Sequence, residues 1–269
     1  MLNRTYLFLT WRLYRGLIIF SALFVGFIQF LIIWIFASFD YMPIIEALLN
    51  QLPQQLRVLF SEQFFTYLSI KGAAAFGFNH PLVLFVLGLL AITTSSRQIA
   101  GESESGILEL QLAYPIRRKT LIITLWISIS FMMLLVLLSG ILGSILALSL
   151  KGKFSAEIVL QLIKIVVNLW FLYILIMTYS LLLSSMGKEA SKSGIQSAAI
   201  TLLFYFTFFL GGIWQPLAPL QTFNIFNYYQ PQKLMFDKVS FGINLLVLVI
   251  LIVIGFVVGI RQFIRRDIP

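Results

Sequence analysis

The chain has 269 residues, 60% apolar and only 11% charged, with a mean hydropathy of +0.97; soluble domains run at about 45–50% apolar and about 25% charged. This excludes an ordinary soluble fold and marks an all-α integral membrane protein. The net charge of +9 implies no nucleic-acid partner, because the cations sit in short connections between apolar runs, and the absence of cysteine removes disulfides and thiolate chemistry.

In chain order, residues about 2–15 place Leu2, Tyr6, Leu9 and Leu13 on one helical face, with Arg4, Arg12 and Arg15 roughly opposite. That pattern predicts an N-terminal interfacial helix; a plain basic flank is the alternative. Six stretches then reach the roughly 20 apolar residues that a bilayer crossing requires. They are about 16–37, 73–96, 121–150, 165–186, 193–214 and 241–260. The first is longer than the about 7–15 residues of a signal-peptide core, so it is expected to be retained. Asn79-His80-Pro81 interrupts the second, since the residue before a proline avoids the α region; the span is kinked there or begins at Pro81. The third exceeds a bilayer's need and is expected to tilt or project.

Alternate connections carry unequal charge. Twelve Lys and Arg residues fall on the side holding both termini and seven on the other, so both termini are expected to be cytoplasmic. On the outer side, 40–72 reads as short amphipathic helices. The stretch 215–236, QPLAPLQTFNIFNYYQPQKLMF, has the aromatic, Pro and Asn content of an interfacial or re-entrant segment. With no repeat and no soluble domain in view, a single transmembrane domain, 1–269, accounts for the chain.

Reactive constellations are missing from the sequence. Gly187-Lys188-Glu189 lacks the first glycine and the hydroxyl residue of a phosphate-binding loop, with Leu182 and Glu189 in their places. His80 is the lone histidine and reads as a helix-start residue. The predicted spans hold no Asp, Glu, Lys or Arg, and Lys164 lies just outside the fourth at an outer edge, so ion-coupled transport has no pathway signal. Gln29, Thr93, Thr94, Asn168, Thr178, Gln196, Thr201, Thr207 and Asn244 are left to join helices by hydrogen bonds. Gly255-x-x-x-Gly259 permits a close helix contact.

One connection differs from the rest. Residues 97–119, RQIAGESESGILELQLAYPIRRK, concentrate three carboxylates, four cations, two glycines and a proline. Ser105 is the predicted N-cap of a short helix from Gly106 to about Ala113, with Glu102 and Glu104 near its positive end and Pro115 as its stop. The Leu108, Leu110, Leu112 alternation also fits a strand, but Leu, Glu and Gln favour helix. A short helix exposing Leu and Glu beside basic residues suits the groove of a soluble partner.

From Ala100 to Lys119 the sequence resembles the signature of type 2 ABC transporter permeases, approximately A-G-E-x-x-x-G-T-L-E-L-L-L-x-x-P-[IV]-x-R-R. Gly101, Glu102, Gly106, Leu108, Glu109, Leu110, Leu112, Pro115 and Arg118 stand at matching positions. Ile107 replaces the usual Thr, and Thr124 stands where such chains often carry Lys. The outer Phe226-Asn227-Tyr228-Tyr229-Gln230-Pro231 is also similar to the family's version, and the chain resembles the permeases of copper and nitrous-oxide-reductase maturation, gliding, and multidrug or bacteriocin export.

The resemblance implies a non-catalytic membrane subunit of an exporter in a prokaryotic cytoplasmic membrane. Its partners would be two copies of a separate ABC ATPase, a second permease copy in a homodimer, membrane lipid, and an extracytoplasmic accessory protein in some systems. No cofactor is implied in this chain; ATP and Mg would bind the partner ATPase. Gly101, Glu102, Gly106, Ile107, Leu108, Glu109, Leu110, Pro115, Arg117 and Arg118 would form the ATPase-coupling site, with Glu102, Glu109 and Arg118 as polar contacts and Ile107, Leu108 and Leu110 as an apolar plug. The alternative is an energy-transducing subunit that drives an extracytoplasmic assembly partner without moving a soluble substrate.

Overall fold

The computed structural model describes residues 3–39, 47, 69–114 and 116–265. Most of the expected outer helices of 40–72, together with Pro115 and residues 266–269, lie outside them. Among the described residues there is no strand. The helices are α1 (Arg4–Ser38), α2 (Ile70–Asn79), α3 (Pro81–Ser96), α4 (Ile107–Ala113), α5 (Arg118–Leu150), α6 (Ala156–Met186), α7 (Ala190–Gly211), α8 (Pro231–Met235) and α9 (Phe241–Arg265). Among the described residues, six segments are long and apolar enough to cross a membrane, with α2, α3 and the residues to Glu104 forming one of them.

Local chemistry explains the boundaries. Asn3 Oδ1 accepts from the Tyr6 N–H at 3.1 Å and Ser69 Oγ from Gly72 at 3.1 Å, which caps α1 and α2. His80 ends α2 in an extended conformation and starts α3: its Nδ1 accepts from the Leu82 N–H at 3.3 Å, and Pro81 takes the first helical position. The expected break in the second span and the helix-start role of His80 are therefore both present. α6 begins nine residues before the predicted 165 because Glu157 and Lys164 dilute its first turns without disturbing the helix. Both pair at that end, Lys71 with Glu157 at 2.8 Å and Lys164 with Asp237 at 3.3 Å.

α1 differs from the two-part expectation. It runs unbroken from Arg4 to Ser38, since neither a proline nor a capping residue stands near Gly16. Its packed stripe is Tyr6, Thr10, Tyr14, Ile18, Ser21, Val25 and Gln29, whereas Leu9 and Leu13 are exposed. The inward face is thus rotated away from the leucines.

α1 packs along α5, and the crossing is close enough to demand glycine: a Cβ on Gly143 would lie 2.1 Å from the Gly26 carbonyl oxygen. Ser139 Oγ donates to the Ala22 carbonyl at 2.7 Å across the same crossing. α6 occupies the middle, against α3, α5, α7 and α9. Gly255 and Gly259 of α9 face Thr178 and Leu182 of α6.

Several of the expected polar ties between helices are made. Gln29 Nε2 donates to the Ala74 carbonyl at 3.2 Å, Trp126 Nε1 donates to Thr178 Oγ1 at 3.0 Å, and the hydroxyls of Tyr179 and Thr201 bond each other. Thr94 instead returns its hydroxyl to the Leu90 carbonyl of its own helix. Asn168 is fully buried, and its side-chain amide has no partner among the described residues.

The segment after α7 folds back on the bundle as two 3₁₀ turns, Gln215–Phe223 and Ile225–Tyr228, followed by α8. Asn224 Nδ2 donates to the Phe204 carbonyl at 2.7 Å, and the Tyr229 hydroxyl donates to the Phe78 carbonyl at 3.1 Å. These bonds fix the segment over the ends of α2 and α7.

Candidate functional site: the α3–α5 connection

The second span does not stop at Ser96. It passes into a π-helical turn, Arg97–Gly101, and one further turn, Glu102–Glu104. A π turn inside a helix is uncommon and often sits at a functional position. Here it buries Gln98, Ile99 and Ala100.

Gly106 then reverses the chain. Its φ of 73° lies in the left-handed region, which glycine enters without the steric cost met by other residues. The Ser105 and Gly106 amides bond back to the Gly101 and Ser103 carbonyls at 3.0 and 3.3 Å. The expected Ser105 cap of α4 is not made: Ser105 Oγ donates to the Gly101 carbonyl at 2.9 Å, and α4 has no side-chain N-cap. Gly106 thus takes over the change of direction, and the serine closes the preceding turn.

Glu104 also departs from its expected role. Its Oε2 accepts from the Ala190 N–H at 3.0 Å, so it serves the first turn of α7, whose exposed amides favour an anion. Gly101 lies against the same residue; a Cβ there would stand 3.3 Å from the Ala190 Cβ. Glu102 is half-buried. The Tyr6 hydroxyl donates to Gln98 Oε1 at 2.8 Å and stands 3.4 Å from Glu102 Oε2.

The three expected plug residues divide. Leu108 is fully buried in the chain's own core, with Leu112 packed beside it, whereas Ile107 is 46% and Leu110 69% exposed. Leu108 is therefore an anchor and is not presented to a partner. Successive side chains at i, i+3 and i+7 share a helical face, which adds Tyr114, 70% exposed just past α4, to Ile107 and Leu110. The leucine alternation had hidden this residue. Glu109 and Arg117 are also exposed, and Pro115 lies outside the described residues.

Arg118 turns inward: its Nη1 donates to the Ile264 carbonyl in the last turn of α9 at 3.2 Å, a place where cations complement free carbonyls. Thr124, the departure from the usual Lys, accepts from the Asn3 N–H at 3.1 Å and donates to the Thr120 carbonyl at 2.7 Å. The connection is consequently held by both ends of the chain and by α7, while its Ile107-Leu110-Tyr114 stripe stays outside.

A concavity of about 720 Å³ opens at the opposite end. Phe36, Phe76, Phe208 and Tyr229 line it together with Gln221 and Gln230.

The fold defines a multi-pass helical membrane protein, with a short connection beyond its spans that exposes apolar side chains. The family described as ABC-2 family transporter protein matches residues 12–268. The chain belongs to this family and is an ABC transporter permease, whose family implies partnership with an ABC ATPase. No curated protein matches it.

Proposed function

We propose that the chain is the permease subunit of an ABC exporter, with the α3–α5 connection docking a separate ATPase on the cytoplasmic side. The observation that carries the reading is the exposed stripe of Ile107, Leu110 and Tyr114 on a helix whose opposite face, Leu108, is buried. An apolar ridge of this kind fills a groove on a soluble partner, and exposed Glu109 and Arg117 supply the polar rim. Glu102 and Arg118, with partners in the chain, hold the ridge in place. Gly101 and Gly106 set its distance and direction.

The ridge is mechanically tied to the spans. A displacement of α4 reaches α1 through Tyr6 and Gln98, α7 through Glu104, and α9 through Arg118. Closure of two ATPase subunits against two permease copies would move these helices together and open a path for an apolar or amphipathic substrate. The permease copies form a homodimer in a prokaryotic inner membrane, with ATP and Mg held by the ATPases.

Affinity purification from native membranes tests the docking. Wild type is expected to bring down an ABC ATPase at about equal copy number, Leu110→Asp with Glu109→Arg to lose it, and Leu108→Val to keep it. A permease that folds and carries no ATPase in any of these forms refutes the reading. ATP-dependent flux in proteoliposomes of the purified complex then separates export from the driving of an extracytoplasmic partner.

A further inference from the structure

A groove of about 540 Å³ lies between α1 and α3 at the end that carries the α3–α5 connection. Leu13, Leu17 and Leu89 form its apolar wall; Arg97, Glu102 and Ser105 form its polar end. α1 and α3 run in opposite directions; α1 lines the groove with Leu13, Tyr14 and Leu17, and along the second span Leu89 sits deeper in the bundle than Arg97. From Leu89 to Arg97 the groove follows its helix for about 12 Å at 1.5 Å per residue, the depth over which a bilayer passes from acyl chain to headgroup.

Its charges are unusual. Arg97 is exposed and Glu102 half-buried, and among the described residues neither has an ion-pair partner. A carboxylate withdrawn from water is costly unless a cation or hydrogen-bond donors meet it; among the described residues Glu102 is met by neutral partners, Gln111 and the Tyr6 hydroxyl at 3.4 Å, and by no cation.

We infer that this groove binds a zwitterionic phospholipid bearing a primary ammonium, with its phosphate on Arg97 and its ammonium on Glu102. The acyl chains lie over Leu13, Leu17 and Leu89. A primary ammonium donates hydrogen bonds to the Glu102 carboxylate and to Ser105 Oγ, which a quaternary ammonium cannot do. Quaternary groups prefer aromatic cages, and Tyr14 is the one aromatic residue on this groove. A headgroup with net negative charge meets Glu102 without a cation to offset it. The groove adjoins the docking ridge, with Ile107 on its rim, but lipid binding there requires only that this chain spans a membrane and not that an ATPase docks.

The purified permease, without any ATPase, is reconstituted in nanodiscs of equal phosphatidylethanolamine, phosphatidylcholine and phosphatidylglycerol, released into detergent, and read by native mass spectrometry. Wild type and Lys192→Gln, a charge removal outside the groove, are expected to retain about one phosphatidylethanolamine per chain, at least fivefold over either competitor. Arg97→Gln is expected to lose at least tenfold of the bound lipid. Glu102→Gln is expected to keep lipid but bring phosphatidylethanolamine and phosphatidylcholine to parity. Equal retention of all three lipids by wild type, or retention of none, overturns the proposal; so does unchanged selectivity in Glu102→Gln. The wild-type selectivity decides the matter even if a variant fails to fold. Because no ATPase enters the measurement, its result is separate from that of the docking experiment.

Discussion

α6 and α7 are adjacent apolar helices of the same bundle with opposite environments. Of the apolar window of α6, 61% is buried within the chain, against 6% for α7, where only Ser193 and Ser197 are buried. In water that contrast would be written in composition, because an exposed face must be polar. In a bilayer, lipid tails are as apolar as leucine, so helix association rests on packing, small residues and hydrogen bonds. The two helices accordingly have similar side chains and different neighbours. α6 is the axis on which the spans assemble, and the outer face of α7 is left for lipid or a second permease copy.

Cross-linking gives the largest, all-or-none contrast. In this cysteine-free chain, Leu203→Cys on exposed α7 is expected to form a disulfide-linked dimer in oxidised membranes, whereas Ile176→Cys on buried α6 is not. Non-reducing gels read both; a monomeric Leu203→Cys protein would give the α7 face to lipid.

Steric and packing changes come next. Gly143→Leu is expected to separate α1 from α5, because even a Cβ there overlaps the Gly26 carbonyl, and to abolish a sharp unfolding transition in detergent. Leu172→Ala, fully buried in α6, is expected to cost about 2–5 kcal/mol through the cavity it leaves. Leu203→Ala on exposed α7 should stay within about 0.5 kcal/mol. Similar losses at both positions would erase the distinction between the helices.

Asn168 sharpens the contrast from the other direction. Its buried amide has no partner among the described residues, so Asn168→Leu is expected to stabilise the fold by about 1–3 kcal/mol, the cost of an unsatisfied polar group. A loss of stability would reveal a partner, such as water, bound to it. At the start of α7, Glu104→Ala removes the acceptor for the Ala190 amide and is expected to cost about 1 kcal/mol. Smallest is Glu157→Gln at the start of α6: its ion pair with Lys71 is largely exposed, with side-chain accessibilities of 67% and 38%, and its loss should cost below about 1 kcal/mol. Chemical unfolding of the three variants would rank them.

Much of the candidate site was legible because its signals are local. Glycine at 106, a leucine-rich run of seven residues and the flanking charges specify a turn and a short helix whatever surrounds them. Misassigned were the residues whose role depends on distant chain. Ser105 was expected to cap α4 and closes the turn before it; Glu104 meets a residue 86 positions away and Arg118 one 146 positions away. Tyr14 and Thr10, absent from the expected face of α1, are inward because α1 packs along α5.

The sequence by itself determined the membrane class, six crossings, the break at His80 and the family signature, because bilayer thickness, proline sterics and glycine conformation act over a few neighbouring residues. Only the tertiary structure decided which apolar face is core and which is surface, why Leu108 anchors while Leu110 is exposed, and where Glu104 and Arg118 find partners. The reason is physical: the interior of this protein and the interior of a membrane have the same polarity, so inside and outside are distinguished by contact alone.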